Sequence, residues 1–183
     1  ISGGYISVYD DRRLPLAESK IGKYPHQMLM KVDFPVYIGN ISIENIKVIY
    51  EEMNPKTGKV GKIEFDKVKG RIENITNMPG RFSANPFIDI NVSSNFLNTV
   101  PLEAKFRFDM SRVNNGVFSV DAVLGKINGN TLNQITEPLA LVKVNSLEVK
   151  KFTAHIDGTD NNATGKISFD YKDLNIDILK KKD

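Results

Sequence analysis

Residues able to do chemistry are sparse in this chain. There are two histidines, His26 and His155, far apart in the sequence, and no cysteine. The missing cysteines exclude disulfides, thiolate metal sites and thiol nucleophiles. His26 follows Pro25 at an expected helix start, which suits a surface or capping role. His155 falls on the polar parity of a strand, which suits a solvated imidazole. Neither has a third ligand or a triad partner at a recognised spacing, and no HExxH, GxSxG, P-loop or GxGxxG pattern occurs. Asp157 and Asp160, with Asn161 and Asn162, have the composition of a calcium loop, but the closing glutamate of an EF-hand is missing. They are read as an ordinary turn. Four Asn-x-Ser/Thr sequons, at Asn40, Asn74, Asn91 and Asn162, follow from the abundance of asparagine. The expectation is a protein that is not an enzyme and holds no metal or cofactor. A hydrolase would need carboxylates gathered in a cleft, which spacing alone does not place.

The stronger signal is in the elements themselves. From Ile88 to Met110 the chain alternates at a period of two. Ile88, Ile90, Val92, Phe96, Val100, Leu102, Ala104, Phe106, Phe108 and Met110 share one parity, interrupted by Ser94 and Asn98. The other parity reads Asp89, Asn91, Ser93, Asn95, Pro101, Glu103, Lys105, Arg107 and Asp109. Successive side chains of a strand point to opposite faces, so this is a hairpin with one oily and one wet face. The pattern recurs at 118–124, 152–156, 165–171 and 174–178.

Elsewhere a first strand is expected over 1–10 and a loop over 10–23. A short helix should follow Pro25 over 26–31. Strands should run through Phe34–Ile43, with a phase shift at Gly39, and through Ile46–Tyr50. The Asn54–Gly58 turn leads to a returning strand through Ile63 and Ile75. The stretch 77–86 reads as a loop, and Asn114-Asn115-Gly116 as a hairpin turn. A second short helix is expected near 130–137, ended or kinked by Pro138. Strands resume over 142–156, 163–171 and 173–178. Ile43–Lys47 is weakly similar to Val144–Lys150.

The fold class is therefore all-β dominated, with two short helices and a curved, mainly antiparallel sheet of about nine to eleven strands. The sheet is expected to form a groove or open sandwich in a single domain, 1–183. Hydrophobic content of 40% implies a thin core. The net charge of +3 is too small and dispersed for a nucleic-acid footprint, and the run Lys180–Lys182 reads as a solvated tail. No apolar run approaches the length of about 18 residues that spans a bilayer. The chain starts at Ile1 without a methionine or signal pattern, and is expected to be an excised piece of a longer protein.

Several segments resemble the AsmA-like envelope proteins of the Bacteroidetes type. They are 50–66 (YEEMNPKTGKVGKIEFD), 70–77 (GRIENITN), 101–104 with 106–109, 132–133, 137–144 (EPLALVKV), and 163–166 with 171–174. The resemblance implies a C-terminal-region segment of a periplasmic protein whose parent is anchored in the inner membrane. It also implies long apolar β-grooves and a part in outer-membrane assembly or phospholipid transport. No catalytic residues come with it. On this reading a lipid or acyl chain would contact Ile88, Ile90, Val92, Phe96, Leu102, Phe106, Phe108, Phe118, Val120, Phe152, Ile167 and Phe169. The partners would be lipid, other envelope proteins or flanking segments of the same parent. The alternative is a protein-interaction scaffold whose apolar face is closed internally and takes no ligand.

Overall fold

The computed structural model describes residues 1–15 and 21–180. The expected 10–23 loop lies partly outside the described residues, as do Lys181 and Lys182 of the basic run. Strands make up 61% and helices 15% of the chain, and one open sheet of nine strands is not closed into a barrel. The strands are β1 (Ser2–Asp11), β2 (Tyr37–Met53), β3 (Val60–Thr76), β4 (Phe87–Phe96), β5 (Val100–Asp109), β6 (Phe118–Leu124), β7 (Ile127–Asn128), β8 (Val142–Gly158) and β9 (Ala163–Ile178). The order is β1-β2-β3-β4-β5-β6-β8, with β7 beside the middle of β8, at Glu148 and Val149, and β9 on the far side of β8. The fold class read from the sequence is thus the one observed.

All pairings are antiparallel except β1 with β2. Parallel neighbours need a long crossover, and residues 12–36 supply it, including α1 (Pro25–Leu29). The other helical segments are α2 (Pro79–Phe82), a 3-10 segment Met110–Asn115, and a 3-10 segment Gly129–Leu132 that runs into α3 (Asn133–Ala140). Four helical segments thus replace the two expected. The expected loop at 77–86 holds α2, and the 3-10 segment at 110–115, ended by Gly116 at φ 63°, makes the β5–β6 connection. Pro138 does not end α3; the helix closes at Leu141, φ 55°. The Pro138 carbonyl accepts from Thr57 Oγ1 at 3.0 Å and from Asn54 Nδ2 at 3.1 Å, which fastens α3 to the β2–β3 turn.

Two expected breaks fall inside continuous strands. The phase shift placed at Gly39 falls at Asn45, φ 52°, so the two strands expected over 34–50 are one 17-residue β2. Ile38, before the shift, is 42% exposed. The last two expected strands are one β9, kinked at Asp173, φ 56°. The β4–β5 connection is the three-residue turn Leu97–Thr99, in which Leu97 and Asn98 take positive φ (49° and 66°) and Thr99 N donates to Phe96 O. The similar stretches 43–47 and 144–150 both lie where a long strand shifts register.

The core is two separate clusters, both on the apolar face of the sheet and one at each end of the strands. Ile88, Phe108 and Met110 are buried with Leu29, Met30, Phe82 and Val113 packed against them. Val100, Ile127, Val144, Leu147 and Val149 are buried with Phe96, Leu124 and Leu132.

Candidate functional site: an apolar sheet face plugged at both ends

Cross-strand register fixes which side chains share a face, because directly opposed residues point the same way. One row runs Ile88–Phe108–Phe118–Gly158, and the next Ile41–Ile72–Ile90–Phe106–Val120–Ile156. Further along lies Ile43–Gly70–Val92–Ala104–Ala122–Ala154–Ile167, then Ser94–Leu102–Leu124–Phe152–Phe169. Phe96 pairs with Val100 on the same face. The register therefore brings every candidate contact residue to one face of the sheet.

Their environments differ. Ile88 and Phe108 are buried under the first plug, and Phe118 packs edge-on against Tyr24 at 5.0 Å. A Cβ at Gly158 would collide with the Phe118 ring, so the glycine makes room for it. These are packing residues of the plug. Phe96 abuts the second plug. Ile90, Val92, Leu102, Phe106, Val120 and Phe152 are half-buried, and Ile167 and Phe169 are exposed at 65% and 42%.

The central row holds the small side chains, with Val92 between Gly70 and Ala104 and Ile43 and Ile167 at its two ends. Gly70, Ala104, Ala122 and Ala154 lie between rows of isoleucine, phenylalanine and leucine, each about 6.8 Å away along the strands. This makes a trench that crosses the strands. The strand ends are closed, and the neighbouring alanines of β5, β6 and β8 form the low part of the floor, about 10 Å across at about 4.8 Å per strand. Sequence reasoning missed this row. Its residues stood on the right parity, but only the register shows that the small ones are neighbours.

The plugs are held by polar latches. In the first, Asp160 in the β8–β9 turn accepts from Gly22 N at 3.0 Å and from Gln27 Nε2 at 2.8 Å. Gln27 in turn accepts from Tyr24 N at 3.1 Å, capping α1. Asn77 holds the far side, donating to the carbonyls of Val32 and Phe34 at 3.1 and 2.8 Å. In the second plug, Asn133 accepts from Val144 N at 2.7 Å and donates to Val144 O at 3.0 Å. Asp160, read as an ordinary turn residue, is thus the residue that ties the crossover to the sheet. Asp160→Ala is expected to cost about 1–3 kcal/mol. It should also speed amide exchange in residues 21–36 while the sheet stays protected; uniform acceleration across the sheet would contradict a local latch.

His26 corrects its expectation. It is 1% exposed, stacked on Phe108 at 4.9 Å, and neither ring nitrogen has a hydrogen-bond partner. Burial pushes its pKa down, against the opposing pull of Asp160 and Asp109. His155 sits on the polar face, with Nδ1 2.7 Å from Asp121 and Nε2 3.1 Å from Asp157. Hydrogen bonds to those carboxylates raise its pKa. The described residues contain no cluster of three or more His, Asp or Glu able to hold a metal.

A depression of about 1030 Å³ lies over the kinks at Asn45 and Lys67. Lys69, Arg71, Asn91, Glu103 and Lys105 line it together with Ile43, Gly70, Val92, Leu102 and Ala104, so charged and apolar side chains mix there. No helix among the described residues is long and apolar enough to cross a membrane. Fold and site define an open β-sheet with plugged strand ends and a trench across its apolar face. No family model, no curated protein and no solved structure matches the chain.

Proposed function

We propose that this chain is a non-catalytic module of the cell envelope whose apolar sheet face contacts lipid acyl chains. In this reading it is a groove segment of an AsmA-like protein of the periplasm, with its parent anchored in the inner membrane. It serves outer-membrane assembly or the movement of phospholipid. The observation that carries the reading is the alanine row Ala104–Ala122–Ala154 flanked by half-buried Ile90, Phe106, Val120, Leu102 and Phe152, closed at the strand ends. Apolar side chains gain roughly 1.5–3 kcal/mol each on full burial. A flexible apolar chain lying along the trench would supply that burial without polar partners. Compartment and parent rest on the sequence resemblance.

The test is native mass spectrometry of gently purified protein with organic extraction, together with titration by a fluorescent fatty acid. Co-purifying phospholipid or fatty acid near one per chain is expected. Ala122→Trp, which fills the trench floor without adding charge, should abolish uptake while the thermal melt stays cooperative. A protein free of lipid that takes up no fatty acid would instead support the scaffold reading. Unchanged uptake by the folded variant would move the ligand off the trench.

A further inference from the structure

We propose that acid opens the first plug: a proton taken up by His26 releases residues 21–31 from the strand ends while the sheet beneath them stays folded. His26 is stacked on Phe108, beside Tyr24, and among the described residues it is the only buried ionisable side chain left without a hydrogen-bond partner. A neutral imidazole tolerates this setting at a cost. An imidazolium, with a full charge and two N–H donors, does not. On its own segment Tyr24 meets it ring to ring. The charged groups facing it are Asp160 in the β8–β9 turn and Asp109 at the end of β5, and both favour the proton. Each is engaged elsewhere. Asp109 accepts from Ser111 N at 2.9 Å and from Arg112 Nε at 2.7 Å. Asp160 accepts from Gly22 N and Gln27 Nε2, the two bonds that fasten the crossover. An imidazolium is therefore satisfied in one of two ways. It draws the Asp160 carboxylate off Gly22 and Gln27, or it turns out to water and takes α1 with it. Both undo the latch.

The release stays local because no ladder bond passes through the segment. β1 ends at Asp11 and β2 starts at Tyr37, so residues 21–36 belong to no strand. α1 has five residues, and a helix that short does not persist in water once it is detached. Asn77 still holds the far end, through Val32, Phe34 and Val36, so 32–36 is the hinge. Opening bares Phe108, Met110 and Phe118 and removes the closure at that end of the apolar face. The inference rests on the buried ring and the latch alone, and it holds whatever the apolar face binds.

The experiment is amide exchange at pH 7.5 and 5.0, corrected for the pH dependence of intrinsic exchange, on the wild type, His26→Phe, His155→Asn and Asp160→Asn. The reporters are the bonded amides of Gly22, Tyr24, Met28 and Met30. In the opened segment the imidazole titrates at its ordinary 6.5. The opening constant of the reporters should therefore rise on acidification, with a ceiling of about thirtyfold. They should exchange well before the amides of β4, β5 and β6 and with almost no dependence on urea, the mark of a local opening. The rise should vanish in His26→Phe and persist in His155→Asn. Asp160→Asn should open more readily at both pH values and still show the rise. A wild type without the rise would overturn the proposal. So would reporters that exchange together with the sheet and with the same urea dependence, a rise that survives His26→Phe, or one that is lost with His155 or Asp160.

Discussion

Phe108→Ala is expected to cost about 3–5 kcal/mol, while Phe106→Ala, two residues away on the same face of the same strand, should cost about 1–2 kcal/mol. The two phenylalanines have the same chemistry and differ in what covers them. Phe108 is 9% exposed, beneath His26, and belongs to the cluster with Ile88 and Met110. Truncating it leaves a cavity that neither sheet nor plug can collapse to fill. Phe106 lies one row nearer the trench and is half-buried between Ile90 and Val120. Its loss forfeits transfer energy but leaves an open surface instead of a void. Against a total stability of about 5–15 kcal/mol, the first loss brings the domain close to unfolding and the second does not. Urea denaturation of both variants measures the difference. Equal costs would mean that the apolar face is covered evenly, which would argue against plugs at the strand ends alone.

The β4–β5 hairpin was legible because its alternation from Ile88 to Phe108 is interrupted only at Ser94 and Asn98, and a sustained period of two points to a strand. The kinked strands were harder. Asn45, Lys67, Asn74 and Asp173 adopt positive φ without being glycine. Three of them are Asn or Asp, which tolerate that conformation, but such residues are common in this chain and do not by themselves mark a kink. The parity shift at 44–45 was visible but read as a boundary between strands; one at 39–40 was given the wrong cause. Pro138 was read by its local rule, yet its helix survives because side chains of the β2–β3 turn satisfy the carbonyls of Pro138 and Leu139. A Cβ at Gly61 would run into Leu139, so that glycine marks where α3 meets β3, a contact between residues far apart in the chain. The trench needed still more. Gly70, Ala104, Ala122 and Ala154 become one row only when the register of five strands is known. Parity therefore placed the candidate residues on the right face but could not separate those under a plug from those left open.

The second large effect is expected at His26. His26→Phe should stabilise the protein by about 1–3 kcal/mol at neutral pH, by removing two buried polar atoms that have no partner. The phenyl ring keeps the stack on Phe108 and the contact with Tyr24. The gain should grow as the pH falls. The folded pKa of His26 lies below its ordinary value of 6.5 because burial penalises the imidazolium. Below about pH 6.5 the unfolded chain therefore takes up a proton that the folded chain refuses. Wild-type stability falls there by up to about 1.4 kcal/mol per pH unit, until the folded group titrates as well. His155 works in the opposite sense. Its pKa is raised by Asp121 and Asp157, so its contribution is present below 6.5 and is lost as the pH rises through the folded value. Being solvent-exposed, it is the weaker of the two. Carboxylates do not interfere in this window. Glu64, held at about 2 by Lys62 and Asn98, and Asp11, held at about 2 by Arg13, lose their contributions only as the pH drops below their ordinary values of 4.5 and 3.8. Urea midpoints at pH 7.5 and 5.0 should thus diverge for the wild type and converge for His26→Phe. If the wild type keeps its stability between those pH values, the imidazole is not held neutral in the plug.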